Sequence, residues 1–199
     1  MRSTHVALIR HAATTWTAER RILGHADPPL SADGEAQVAR WRLPADLARL
    51  HADGRLAWAV SPLQRALATA ARLGASQPVR DARLIEMHYG AWHGRSFDEI
   101  DALTEGGGWD ARPPGGESPA EVLARVRAWL DEIAAGRGHE TWAAVTHGGV
   151  IRALLAAAIG WDLRPPAPLR LLPDRLHRIR RRGDGHLQLV TLNEPLTPL

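Results

Sequence analysis

The chain has 199 residues, 45% of them hydrophobic, with 25 basic and 22 acidic side chains, a net charge of +3 and no cysteine. That length supports one domain with a substantial core, and the missing cysteine excludes a disulfide scaffold, a thiol nucleophile and a cysteine-held metal. No apolar run approaches the roughly 18 residues of a membrane span, and no secretory leader is expected, so the expectation is a cytoplasmic protein without membrane contact.

The first element is the apolar run His5-Val6-Ala7-Leu8-Ile9, which ends abruptly in Arg10-His11. It is too short for a leader and fits a first buried strand. His11 to Pro29 reads as a long loop without periodicity, the kind of segment that carries functional residues. Ser31 is placed to cap a helix running towards Trp41, and Pro44 breaks or restarts it before Leu50. Leu56 to Val60 is the next buried strand. Ser61-Pro62 has the pattern of a cap followed by a first-turn proline, which places Arg65 in the first turn of a helix.

Leu84 to Gly94 is irregular. Ser96 and Glu99 form a capping box for a short helix, and Gly106 to Gly116 is a Gly/Pro-rich excursion that reads as a flap. Ser118, Pro119 and Glu121 supply cap, first-turn proline and N3 glutamate for a helix reaching about Ala135. Ala143-Ala144-Val145 is a third apolar run, ending in Thr146-His147-Gly148-Gly149. Gly148 to Ile159 forms a helix stopped by Gly160. Leu176 to Ile179 and Leu187 to Leu192, joined around Gly183-Asp184-Gly185, form a closing antiparallel hairpin. Short apolar runs alternating with amphipathic segments predict one three-layer α/β/α sandwich domain over residues 1–199. Its sheet is mostly parallel with an antiparallel edge strand.

In such a sheet, ligands bind beyond the carboxyl ends of the strands, where helix N-termini converge. Two of the runs end there in Arg10-His11 and in His147-Gly148, and Arg65 is aimed at the same edge. Attack on a phosphate monoester needs a nucleophile, cations for the phosphoryl oxygens and an acid for the leaving oxygen. His11 is suited to the first role. Arg10 and Arg65 can hold phosphoryl oxygens in bidentate fashion, and their charge disfavours protonation of His11. His147 offers a second imidazole to the transferring group, while Gly148 and Gly149 admit close backbone approach at a helix start. Glu86, kept protonated beside a bound phosphate, is the candidate acid.

On these residues the chain resembles the histidine phosphatase superfamily, the branch with cofactor-dependent phosphoglycerate mutases and α-ribazole phosphatase. The resemblance covers nearly the whole chain. It rests on Leu8-Ile9-Arg10-His11, on Pro29-Leu30-Ser31 with Gly34 and Gln37, and on Ser61-Pro62-Leu63-Gln64-Arg65-Ala66. Leu84-Ile85-Glu86 with Gly90 and Gly94, Gly115-Gly116-Glu117-Ser118, and Val145-Thr146-His147-Gly148-Gly149 complete it. It implies His11 as the phosphorylated histidine, Arg10, Arg65 and His147 as the phosphate pocket, and Glu86 as proton donor. It also implies a phosphate-facing amide at Gly24. The family usually has Gly and Glu after its Arg-His pair, where this chain has Ala12 and Ala13. Thr17 stands where the family often places a phosphate-binding Asn, and its hydroxyl offers one hydrogen bond at shorter reach.

The expected activity is metal-independent hydrolysis of a small phosphorylated metabolite through a phosphohistidine, without a cofactor. The alternatives are phosphoglycerate mutase-type transfer and a non-catalytic module binding phosphate ligands or nucleic acid. The stretch from Tyr89 to Ser118 is shorter than the mutases' insertion, which favours hydrolysis. His88 and His93 read as scattered surface histidines rather than metal ligands. Trp109, within the flap, is the preferred specificity candidate over Trp16 and Trp92. All 25 basic residues are arginines, and those between Arg164 and Arg182 read as a solvated edge hairpin rather than a nucleic-acid surface. The sequence leaves the natural substrate and the oligomeric state open.

Overall fold

The structure, a computed structural model, describes residues 3–96, 99, 108–136 and 138–196. Its centre is a six-stranded sheet of β1 (Thr4–Arg10), β2 (Leu56–Val60), β3 (Val79–Arg80), β4 (Thr141–Thr146), β5 (Arg175–Arg181) and β6 (Leu187–Pro195). The spatial order is β3-β2-β4-β1-β5-β6. The first four are mutually parallel, while β5 runs antiparallel to both β1 and β6. β1, β2 and β4 are near-continuous apolar runs because helices cover both of their faces.

The two faces can be read from the alternation along β1. Val6 and Leu8 pack with Ala59 and Ala144 under α5 (Pro119–Ala135) and α6 (Gly148–Ile159), through Val122, Trp129, Ile151 and Leu154. Ala7 and Ile9 point the other way. They meet Val38 of α2 (Ala32–Arg40), Leu47 of α3 (Ala45–Ala52), and Ala66 and Ala70 of α4 (Gln64–Arg72). The fold is therefore an α/β/α sandwich. Each of its fully buried Leu and Ile side chains contributes about 1.5–3 kcal/mol.

This arrangement opens a crevice. The chain leaves β1 for the α2–α4 face and leaves the adjacent β4 for the α6 face, so the strand ends between them are left uncovered.

Helix limits follow local signals closely in several places. Ser31 caps α2 by accepting from Gly34 N, and Ser118 and Glu121 form the expected box on α5. Gly160 ends α6 in the left-handed conformation. Ser96 N donates to the Glu99 carboxylate and Glu99 N to Ser96 Oγ, while the rest of the helix expected there lies outside the described residues.

Three expectations are corrected. The helix carrying Arg65 starts at Gln64 rather than at Pro62, and Ser61 does not cap it; Asp27 does, since its Oδ2 accepts from Gln64 N at 2.8 Å. The loop after β1 contains a one-turn helix, α1 (Thr15–Ala18), with Thr14 as its cap. The arginine-rich hairpin does form one edge of the sheet, with β6 outermost, but its arginines are not simply solvated. Arg178 pairs with both Asp46 and Glu194, and Arg181 with Asp131, so these charges tie the hairpin to α3 and α5.

No described helix is long and apolar enough to cross a membrane.

Candidate active site

The register of β1 on β4 sets Arg10 opposite Thr146. His11 N then donates to Thr146 O at 3.0 Å, carrying the pairing one step beyond the strand. His11 and His147 therefore emerge side by side, with ring centroids 5.1 Å apart and planes tilted by 55°. His147 is wholly buried and His11 is 5% exposed.

His11 Nδ1 lies 2.8 Å from its neighbour's carbonyl, Ala12 O. A carbonyl only accepts, so the ring proton sits on Nδ1 and the lone pair on Nε2. Arg65 Nε donates to that lone pair at 3.3 Å. Burial, then Arg10, then Arg65 hold the His11 pKa well below its ordinary value, so the ring is neutral and nucleophilic at neutral pH. Arg65, also fully buried, is anchored by Gly24 O at 2.8 Å, Ala26 O at 2.6 Å and Asp27 Oδ1 at 3.3 Å. One turn along α4, Thr69 Oγ1 accepts from Ala12 N at 3.0 Å and fastens the loop behind His11.

His147 Nε2 lies 2.7 Å from Ser61 Oγ, and its Nδ1 is buried with no hydrogen-bond partner among the described residues. Its pKa too is held well below the usual value, first by burial and then by His11, Arg65 and Arg10. Glu86 is 7% exposed. Its Oε1 accepts from Met87 N at 2.8 Å and from Gly149 N at 3.1 Å, while Oε2 shares only Gly149 N at 3.2 Å. Oε2 is thus the freer oxygen. The segment around Glu86 is pinned by Thr146 Oγ1, which donates to Leu84 O, and by Arg125, which reaches Arg83 O and Glu86 O while gripping Glu117. Burial and the Glu86 carboxylate push the Tyr89 hydroxyl pKa up, so this ring, packed against the core, stays neutral.

The result is a compact set of donors and cations around one basic nitrogen, with a carboxyl nearby. Such a set suits an incoming phosphoryl group. The sequence model of the histidine phosphatase superfamily (branch 1) matches residues 6–195. The chain belongs to that superfamily.

Its relatives are phosphatases and phosphoglycerate mutase-like proteins. A glucosyl-3-phosphoglycerate phosphatase of Mycolicibacterium vanbaalenii is 36% identical over 178 residues, covering 80% of this chain and 76% of the relative. A probable phosphoglycerate mutase of Serratia proteamaculans is 32% identical over 184 residues, covering 87% and 83%. The solved mycobacterial glucosyl-3-phosphoglycerate phosphatase in complex with VO3 superposes with a TM-score of 0.78 at 29% identity, covering 96% of this chain and 99% of that one. Membership and these relatives support phosphatase or mutase activity.

Within this histidine phosphatase the sequence-derived residues fall into two groups. Arg10, His11, Arg65, Glu86, His147 and Gly148 converge on the crevice; a methyl on Gly148 would sit 3.6 Å from the Arg10 guanidinium, which places that side chain over the start of α6. Thr17 is engaged elsewhere. Its Oγ1 accepts from Thr14 N at 3.2 Å and shares a proton with Thr14 Oγ1 at 2.9 Å, so it shapes the loop. Gly24 meets the site through its carbonyl, which accepts from Arg65. Ala12 is buried and takes no positive φ, so its methyl is accommodated without strain.

Sequence reasoning missed Asp27, which braces Arg65 and caps α4 at once, and misassigned Ser61. Asp27 sits beside Pro28-Pro29, a turn signal that marks the loop but not its partner. His88 and His93 are not scattered. Together with His25 they form a rim cluster with ring centroids 4.8–6.4 Å apart. His25 Nε2 donates to Glu86 O at 2.8 Å, and His93 Nε2 accepts from His25 N at 3.1 Å. Among the described residues no group of three or more His, Cys, Asp or Glu is arranged to hold a metal ion. Trp109 is half-buried and packs on the α5–α6 core.

Proposed function

We propose that this protein is a phosphomonoester hydrolase that works through a phosphohistidine on His11 and needs no metal. The observation that carries the reading is the state of His11: a neutral ring, its proton tied to Ala12 O, its Nε2 lone pair directed at Arg65. In the first step Arg65 Nε–H turns from Nε2 to a phosphoryl oxygen, the freed lone pair attacks phosphorus and the ester P–O bond breaks. The Glu86 carboxyl gives its proton to the departing alcohol oxygen from Oε2. In the second step Glu86 takes a proton from water as the water oxygen attacks the phosphohistidine, releasing inorganic phosphate and restoring the ring. Arg10, Arg65 and His147 hold the phosphoryl oxygens, so the positive charge a metal would bring is already present. Gly148, at the N-terminus of α6, adds backbone positive charge, and Thr17 enters as the residue that shapes the loop.

The substrate is a small phosphorylated metabolite. The candidate seat for its alcohol part is an open groove of about 520 Å³ lined by His25, Ile85, His88, Gly116, Glu117 and Arg125, two of which bond the Glu86 backbone carbonyl. One sheet built from residues 4 to 195 supports a single domain. The ion pairs on Arg178 and Arg181 support a structural role for the arginine hairpin rather than nucleic-acid binding. Likeness to a probable phosphoglycerate mutase favours phosphoryl transfer as the second reading.

Incubation with a phosphomonoester in the presence of chelator, followed by acid-labile phosphate trapping, tests both. Wild type should form a phosphoenzyme and release phosphate; folded His11→Ala should do neither. Near-normal hydrolysis by that variant refutes the nucleophile. Transfer to an added alcohol with little free phosphate would establish the mutase reading.

A further inference from the structure

We infer that Ser61 is a positioning residue that decides which nitrogen of His147 carries the proton, arming that ring as a donor to the transferring phosphoryl group. The inference rests on the phosphatase reading above and deepens it.

Ser61 is fully buried, and its amide donates to Val145 O at 3.0 Å, extending the β2–β4 pairing by one residue. That extension brings its hydroxyl level with His147, at 2.7 Å from Nε2. Ser61 Oγ also receives a weak bond from Leu63 N at 3.4 Å. An amide only donates, so that contact leaves the serine proton uncommitted and available to the histidine.

A neutral imidazole has one proton for two nitrogens. If the serine donates to Nε2, that nitrogen is the acceptor and Nδ1 carries the hydrogen. Nδ1 is the buried nitrogen with no partner. A buried donor left unpaired is costly, and an anionic phosphoryl oxygen would satisfy it. The opposite arrangement strands two groups. Nε2–H would point at Ser61 Oγ, the serine proton would lose its acceptor, and a bare Nδ1 lone pair would confront the anion. Burial and the neighbouring arginines keep the ring neutral, so the choice of tautomer is a real one.

Serine at this position is free for the task because α4 begins three residues later with Asp27 as its cap. A side chain that looks like a helix cap is turned instead towards a residue 86 positions away.

Nitrogen-15 NMR of histidine-labelled wild-type enzyme, with and without orthovanadate, reads the tautomer without turnover. His147 should be protonated on Nδ1 and bare on Nε2. In Ser61→Ala the Nε2–H form should appear, vanadate binding should weaken, and kcat/KM for an aryl phosphate should fall about 10- to 10²-fold, as for loss of part of one phosphate-directed donor. Ser61→Thr, which keeps the hydroxyl, should restore the Nδ1–H form. In a His147→Ala background, Ser61→Ala should cost nothing further. Nε2 protonation in vanadate-bound wild type would overturn the inference, as would an undiminished loss in the His147→Ala background. If no phosphoenzyme forms while the tautomer and the double-mutant result hold, the phosphohistidine reading fails and the Ser61 assignment stands.

Discussion

Adding one methyl group at Gly149 should separate proton donation by Glu86 from every other function of the site. Gly149 takes no positive φ and occupies the first turn of α6, so its backbone accepts alanine, and alanine is the better helix former by about 1 kcal/mol. The obstacle is spatial. A Cβ there would lie 2.5 Å from Glu86 Oε1, 3.1 Å from the Tyr89 hydroxyl and 3.3 Å from Met87 Cβ, where ordinary contact begins at 3.4 Å. Restoring ordinary contact needs a shift of about 0.9 Å (3.4 − 2.5) at the Glu86 oxygen, the end of the most flexible of the three neighbours. A displacement of about 1 Å in a catalytic group costs on the order of 10² in rate.

Only substrates that need the proton should feel this. In Gly149→Ala, kcat/KM for an alkyl phosphate should drop about 10²-fold, while a nitrophenyl phosphate, whose leaving group departs as the anion, should lose far less. Glu86→Gln should show the same asymmetry more strongly, within the 10²–10⁴-fold range of general acid catalysis. The measurement is a leaving-group series on both variants, with Tm taken to confirm the fold. Equal losses across the series at unchanged Tm would refute the assignment of Glu86 as the acid, and full alkyl phosphatase activity would refute the tightness of its seat.

Two further predictions concern stability. His177, buried in β5, has its pKa lowered by burial to about 4. Above pH of about 6.5 the ring is neutral folded or unfolded; between there and pH 4 the unfolded chain binds a proton the fold refuses, so stability falls with pH by on the order of 3 kcal/mol. His177→Gln, which cannot titrate, should flatten that part of the urea-denaturation pH profile, and an unchanged slope would refute it. Arg178→Ala removes a guanidinium that bonds Glu194 at 2.6 and 2.8 Å and Asp46 at 2.8 Å; it should cost about 1–2 kcal/mol and leave kcat unaltered. Unchanged Tm would show that the pairs merely decorate the hairpin.

The parts of the fold legible in the sequence are those specified by neighbours along the chain. Ser31 and the Ser118–Glu121 box announce α2 and α5 because each cap lies within three residues of what it satisfies. The strand ends at His11 and His147 are legible because an apolar run stopping at a polar group is a local event. Ser61 fooled the same logic. Ser-Pro satisfies the capping rule, yet its hydroxyl belongs to His147, and the cap it seemed to be is supplied by Asp27 from an earlier loop. β3, two exposed residues long, has no periodicity to detect. The arginines of β5 look fully solvated in one dimension because the acids from α3 and α5 that pair with Arg178 and Arg181 come from elsewhere in the chain.

The pairing of Arg10 with Thr146 has a bearing on how this enzyme tolerates change. Side chains on a strand alternate between faces, so slipping β4 by one residue against β1 would send His147 to the wrong side of the sheet while keeping most backbone hydrogen bonds. A single-residue deletion between Thr141 and Thr146 therefore threatens the two histidines' meeting more than the sheet's existence. The same deletion in the exposed turn at Gly183-Asp184-Gly185 spares them. Length errors in this molecule matter by where they fall relative to one shared rung, a vulnerability that point substitutions do not reveal.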